Sequence, residues 1–244
     1  MAPIIEVFEP RLFDGAVADE ISASIEERLT EKKRCSVALS GGSTPGCVYR
    51  ALSKPPRVES VTWPSVDLIL GDERWVPLTD DQSNYRMIDE TLLSQLKTTK
   101  PAVHPVDTSL KSCADSAKAY ADTLRRVSGN PPQLDIVLLG VGEDGHTASL
   151  FPGTDSVHRH DGVCFAVKHP ASGQERVTIS PDVLFNAWRV FYIVKGESKA
   201  DIIKRVVEGN ESIDVLPSRL FTTAKAQVSF LLDSGAAQKL SKHN

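Results

Sequence analysis

The chain of 244 residues has no long apolar run, no basic surplus and no paired cysteines. Nothing in it approaches the roughly 20 apolar residues that a membrane-spanning helix needs. Its net charge is −4 and its sequence pI about 5.9, so it advertises no nucleic-acid surface. An anionic ligand would have to be met by local positive groups rather than by the field of the whole protein. The four cysteines, Cys35, Cys47, Cys113 and Cys164, form no C-x-x-C pair and match no zinc spacing. Scattered single thiols suit a reducing compartment. The start, Met1-Ala2-Pro3-Ile4-Ile5-Glu6, lacks the basic and apolar regions of a secretory signal. The end, Ser241-Lys242-His243-Asn244, is not a peroxisomal address. The expectation is a cytoplasmic protein with no membrane and no nucleic-acid partner. Repeats, low-complexity tracts and linkers are missing too, which points to a single domain over residues 1–244.

What is present is an alternation of short apolar runs with amphipathic stretches. Strands are expected at Ile4–Phe8 (an edge), Cys35–Leu39, Val66–Leu70, Leu134–Leu139, Val163–Val167, Arg176–Ile179, Arg189–Val194 and Gln227–Leu232. Helices are expected over Leu12–Leu29, from the Ser43 region through Leu52, and over Tyr85–Leu96, Ser112–Val127 and Ser198–Val207. Strands alternating with helices imply an α/β fold, with a mostly parallel sheet covered by helices on both faces. The turn-rich stretch from Gly153 to Gln174 shows the least periodicity.

Three strands empty into loops that carry chemistry, and ligands of open α/β sheets bind at the carboxyl ends of strands. The first loop is Ser40-Gly41-Gly42-Ser43-Thr44-Pro45. Glycines free backbone N–H groups, hydroxyls add donors, and a following helix adds its positive end. This is a phosphate cradle or a tight turn with Ser43 as helix cap; it is neither a Walker A loop nor G-x-G-x-x-G. The second loop is Gly71-Asp72-Glu73-Arg74-Trp75. Asp72 suits a substrate hydroxyl or a base, and Arg74 a phosphate or an oxyanion. The alternative is a surface ion pair. The third is Gly140-Val141-Gly142-Glu143-Asp144-Gly145-His146-Thr147. There Asp144 would orient His146 as general base. His104, His158, His160, His169 and His243 lack such context and read as structural or solvated; Trp63, Trp75 and Trp188 read as packing residues, with Trp75 placed to border the site as the alternative.

Taken together these motifs resemble the 6-phosphogluconolactonases, which share a superfamily with glucosamine-6-phosphate isomerase/deaminase. Matching residues are Ser40–Pro45, Gly71–Arg74, Ser83-Asn84, Gly142–Gly153, Arg176-Val177-Thr178, and Gly196, Lys199 and Ala200. The resemblance runs from about Val37 to Ala200. It implies a Rossmann-like fold and hydrolysis of 6-phospho-D-glucono-1,5-lactone, with no cofactor and no metal. It also implies a phosphate site at Gly42, Ser43 and Thr44, with Arg176 and Lys199 supplying positive charge, and a histidine base at His146. The isomerase branch carries an acidic residue five positions beyond that histidine; here the position is Phe151, which cannot shuttle a proton. The lactonase is therefore favoured, acting as a monomer on a small sugar-phosphate lactone. The alternatives are an amino-sugar-phosphate isomerase/deaminase and a non-catalytic sugar-phosphate-binding protein.

Overall fold

A computed structural model describes residues 2–97 and 100–241; His243 lies outside them. The strands are β1 (Ile4–Phe8), β2 (Cys35–Leu39), β3 (Val66–Leu70), β4 (Asp72–Arg74), β5 (Ala102–His104), β6 (Ile136–Leu139), β7 (Cys164–Lys168), β8 (Glu175–Ile179), β9 (Arg189–Val194) and β10 (Gln227–Asp233). The helices are α1 (Phe13–Glu31), α2 (Ser43–Leu52), α3 (Arg57–Ser60), α4 (Asn84–Thr91), α5 (Cys113–Ser128), α6 (Pro181–Phe185), α7 (Ala200–Glu208) and α8 (Ser234–Ala237).

Seven strands form one sheet in the order β1-β10-β9-β6-β2-β3-β5, with every pairing parallel. β2, β3 and β6 are buried at every position, as central strands between two helical layers are. Their side chains alternate between two cores. Ala38, Ile69 and Val137 pack with α5 and α7 on one face. Val37, Leu39, Leu68 and Leu138 pack with α1, α2 and Trp63 on the other. The expected α/β fold, with a mostly parallel sheet clothed on both sides, is the observed one.

The chain runs outward from β2 through β3 to β5, then returns to the other side of β2 at β6. The order therefore reverses between β2 and β6, and a crevice opens there at the carboxyl edge. The first and third chemical loops leave those two strands.

Besides the short helices α3, α6 and α8, three features were not expected from the sequence. Asp72–Arg74 is not a free loop but strand β4, in a small antiparallel sheet ordered β4-β8-β7. Three consecutive charged residues have poor strand propensity, and pairing with β8 overrides it. β5 is only three residues long, too short to show a period. The helix expected over Tyr85–Leu96 ends at Thr91. Beyond it the chain tightens into a 3₁₀ turn, Leu93–Gln95, and so buries Leu92, Leu93 and Leu96 together.

Candidate active site

β2 delivers Ser40, whose backbone is held by one phenol. Ser40 N donates to Tyr49 Oη at 3.0 Å, and Tyr49 Oη donates to Ser40 O at 3.0 Å. Gly41 admits no side chain, since a Cβ there would fall 1.9 Å from Asn84 Oδ1. Gly42, at φ 105°, turns the chain into α2, which starts at Ser43 with no side chain capping its first N–H groups. Ser43 is thus the first helical residue and not the cap. Uncapped N–H groups at a helix start favour an anion.

β3 delivers the second loop. Asp72 is buried and accepts from Ser149 Oγ at 2.6 Å, while Asn84 Nδ2 donates to Asp72 O at 2.9 Å. Glu73 faces away, fully buried. It accepts from the backbone N of Arg74, Asn84 and Tyr85 and from Ser83 Oγ, at 2.7–3.0 Å. Burial pushes its carboxyl pKa up, against those four bonds. Glu73 ties the start of α4 to β4, and so holds Asn84 against the cleft.

Arg74 and Arg176 sit directly opposite each other on β4 and β8. Like charges in that register repel. The Nε of each is buried without a hydrogen-bond partner, and neither makes an ion pair among the described residues. Arg74 Nη1 donates to Gln82 O at 2.6 Å. Burial lowers the Arg176 pKa and Arg74 lowers it further, with Asp72 acting the other way. Two half-buried guanidiniums that line one cavity and form no ion pair make a place suited to an anion. The ion-pair alternative for the second loop is not what the fold builds.

β6 delivers the third loop. Gly142 N donates to His146 O at 2.8 Å, and Gly145, at φ 87°, lets the chain double back. Asp144 Oδ1 accepts from His146 N at 3.1 Å and pairs with His146 Nδ1 at 2.6 Å. Burial would raise the Asp144 pKa, but the bonds and charge of His146 outweigh it and hold the carboxyl below its usual range. An ionised Asp144 accepts a proton-bearing Nδ1 and leaves the Nε2 lone pair of His146 free. Ser218 Oγ donates to Gly145 O at 2.8 Å and braces the loop from behind. Ala148, at φ 48°, is the one non-glycine with positive φ among the described residues, and it lies on the cleft wall.

These pieces enclose a cavity of about 190 Å³. Gly41 and Gly42, Asp72 and Arg74, Gly142 and His146 reach it from the three loops, joined by Arg176 from β8. Ser43, Thr44, Asp144 and Lys199 stand outside this wall. Lys199 Nζ donates to the third loop at Val141 O, 2.9 Å away. A larger groove of about 920 Å³, between Arg50 and Lys97, gathers no histidine and no buried carboxylate. Among the described residues, no three His, Cys, Asp or Glu side chains converge as a metal site, and no helix is long and apolar enough to cross a membrane.

Phe151 is fully buried at the foot of the cleft. Its ring centre lies 5.3 Å from that of His146, and the Arg176 guanidinium lies 5.5 Å from it. His169 packs on the same ring at 4.9 Å, so it is neither a remote nor a merely solvated histidine. No motif marks it in the sequence, because His169 is a lone histidine on the turn between β7 and β8, and only the fold brings that turn against Phe151. Trp75 lies off the wall, its Nε1 donating to Ser116 Oγ at 3.0 Å. Tyr49 and Ser218 also escape sequence reading, since a buried phenol or hydroxyl has no motif.

Fold and site together define an α/β protein that presents a histidine–aspartate pair and two unpaired arginines at the switch point of a parallel sheet. The chain belongs to the family of glucosamine-6-phosphate isomerases/6-phosphogluconolactonase, whose model matches residues 10–230. It is 36% identical to the 6-phosphogluconolactonase of Treponema pallidum, over 78% of this chain and 80% of that one. It is 30% identical to the 6-phosphogluconolactonase of Synechocystis, over 98% of this chain and 99% of that one. The solved 6-phosphogluconolactonase from Trypanosoma cruzi superposes with a TM-score of 0.85 at 28% identity, covering 99% of each chain.

The tightness of the third loop makes one substitution informative. A Cβ on Gly142 would fall 2.1 Å from His146 Nδ1 and 2.7 Å from Asp144 Oδ1. Gly142→Ala is expected to part that pair and lower kcat by roughly 10²-fold, the scale of an ångström-level misplacement. The kinetics should be read beside a thermal melt. Unchanged kcat in a folded variant would mean that the pair is not needed for turnover.

Proposed function

We propose that this chain hydrolyses 6-phospho-D-glucono-1,5-lactone to 6-phosphogluconate, as a single-domain, monomeric, cytoplasmic enzyme. The observation that carries the reading is the pairing of His146 with Asp144, opposite Arg74 and Arg176 in one cleft. Water gives a proton to His146 Nε2 while its oxygen bonds to the lactone carbonyl carbon. The carbonyl oxygen takes up negative charge, which Arg74 stabilises. Collapse breaks the bond from that carbon to the ring oxygen, and protonated His146 returns the proton to the ring oxygen. Arg176, with the N–H groups of Gly42, Ser43 and Thr44, anchors the phosphate. Remote binding energy then sets the reacting carbon in place. Lys199 contributes its positive charge, while its bond to Val141 O shapes the third loop. Asp72, held by Ser149 and Asn84, faces the sugar hydroxyls. Phe151 supports the lactonase over the isomerase, since no carboxylate stands there for ring opening. The net charge of −4 supports a small-molecule substrate over a nucleic acid.

The test is hydrolysis of freshly generated lactone, followed by NADPH formation through 6-phosphogluconate dehydrogenase. A rate well above the spontaneous one is expected. A folded protein giving no acceleration, yet releasing ammonia from glucosamine 6-phosphate, would transfer the chain to the isomerase branch.

A further inference from the structure

We propose that His169, beside this cleft, is a substrate-binding residue, its Nε2–H donating to the part of the phosphate that extends past Arg176. The inference rests on the lactonase reading above and adds a phosphate contact to it.

His169 opens the six-residue turn that joins β7 to β8. His169 N donates to Gln174 O at 2.9 Å, and Gly173 N donates to His169 O at 2.9 Å. Within that turn the Nδ1 atom accepts from Ala171 N at 3.2 Å and Ser172 N at 3.3 Å. Two N–H groups aimed at Nδ1 fix the tautomer. The proton sits on Nε2, and Nε2 has no acceptor among the described residues. A proton added to Nδ1 would meet both donors head-on, so the turn favours a neutral ring. Electrostatics act the same way. Burial lowers the pKa of His169, then Arg176 and His146, with a smaller push from Arg74; Asp144 alone opposes them.

The ring's place gives this donor a use. His169 does not line the enclosed cavity itself, but it stands edge-on to Phe151 at 4.9 Å, and His146 and Arg176 pack against the same buried ring. One aromatic therefore spaces the base, the unpaired cation and the second imidazole. Arg176 lines the cavity and makes no ion pair among the described residues, so an anionic oxygen in the cleft would be a partner for its guanidinium. A neutral N–H beside such a cation adds a directional bond to that anion without adding to the Arg74–Arg176 repulsion.

Two substitutions separate donor from scaffold. His169→Asn keeps an acceptor near the Nδ1 position, so the turn stays closed, but its amide cannot reach as far as Nε2. His169→Gln places an amide N–H near Nε2. We would measure kcat and KM for the phosphorylated lactone, and titrate 6-phosphogluconate and inorganic phosphate calorimetrically, with a thermal melt of each variant. For His169→Asn, KM and both dissociation constants are expected to rise about tenfold with a much smaller change in kcat. His169→Gln is expected to return within about threefold of wild type. Unchanged KM and affinities in a folded His169→Asn would overturn the proposal. So would a loss confined to kcat, which would make His169 a prop for His146 through Phe151. Weaker 6-phosphogluconate binding with unchanged phosphate binding would move the contact to a sugar hydroxyl and overturn the phosphate assignment. The titrations do not need turnover. A wild type that fails to hydrolyse the lactone would defeat the proposed reaction, while the titrations would still decide on His169.

Discussion

Replacing His146 by alanine is expected to lower kcat by about 10²–10⁴-fold, with little change in KM. The lactone is already an electrophile, so the difficult step is making water a nucleophile. Among the described residues His146 is the imidazole that lines the enclosed cavity, and its Nδ1 is committed to Asp144 at 2.6 Å. Removing the ring leaves the arginines and the glycine loops untouched, which is why binding should survive. The ring is partly exposed, so the melting temperature should barely move. Spontaneous hydrolysis must be subtracted from every trace. A folded variant that keeps near wild-type kcat would remove His146 as the base.

Arg176→Met is expected to act in opposite directions on two measurements. KM for the phosphorylated lactone should rise by roughly 10²-fold, because a charge-assisted contact to the phosphate is lost. Stability should rise, by about 1 kcal/mol, because a desolvated cation facing Arg74 is replaced by an apolar chain of similar length. Titration kinetics and thermal unfolding on the same preparation give both signs. Arg74→Met should share the stability gain but fall mainly in kcat, as removal of an oxyanion donor does. A lower melting temperature with unchanged KM in Arg176→Met would mean that Arg176 is a structural residue.

The sequence carries the parallel sheet well, because buried strands such as Cys35–Leu39 and Val66–Leu70 are apolar at nearly every position and run into glycine-containing loops. The loops after them are legible for the same reason: charge and glycine directly after a buried run have few structural uses. β4 was hidden because its strand character comes from β8, not from its own residues. The pairing of Arg74 with Arg176 was hidden with it. Glu73 could not be assigned either, since a carboxylate that caps α4 and one that binds a sugar look alike in sequence. The resemblance assigns Lys199 positive charge for the phosphate, and its bond to the Val141 carbonyl is a contact that the sequence does not show.

The reversal of strand order between β2 and β6 also divides the labour along the chain. The segment through β5 supplies Gly42 and Arg74, and the segment from β6 onward supplies His146 and Arg176. Neither segment holds both a base and its phosphate cradle. β1 crosses this division, because the start of the chain lies beside β10 and clasps the far edge of the later segment. Turnover is therefore a readout of long-range assembly. A nascent chain that has made β1 to β5 has strands and a glycine loop but no reaction, and a nick between the segments would leave two inert pieces whose reunion could be followed by activity alone.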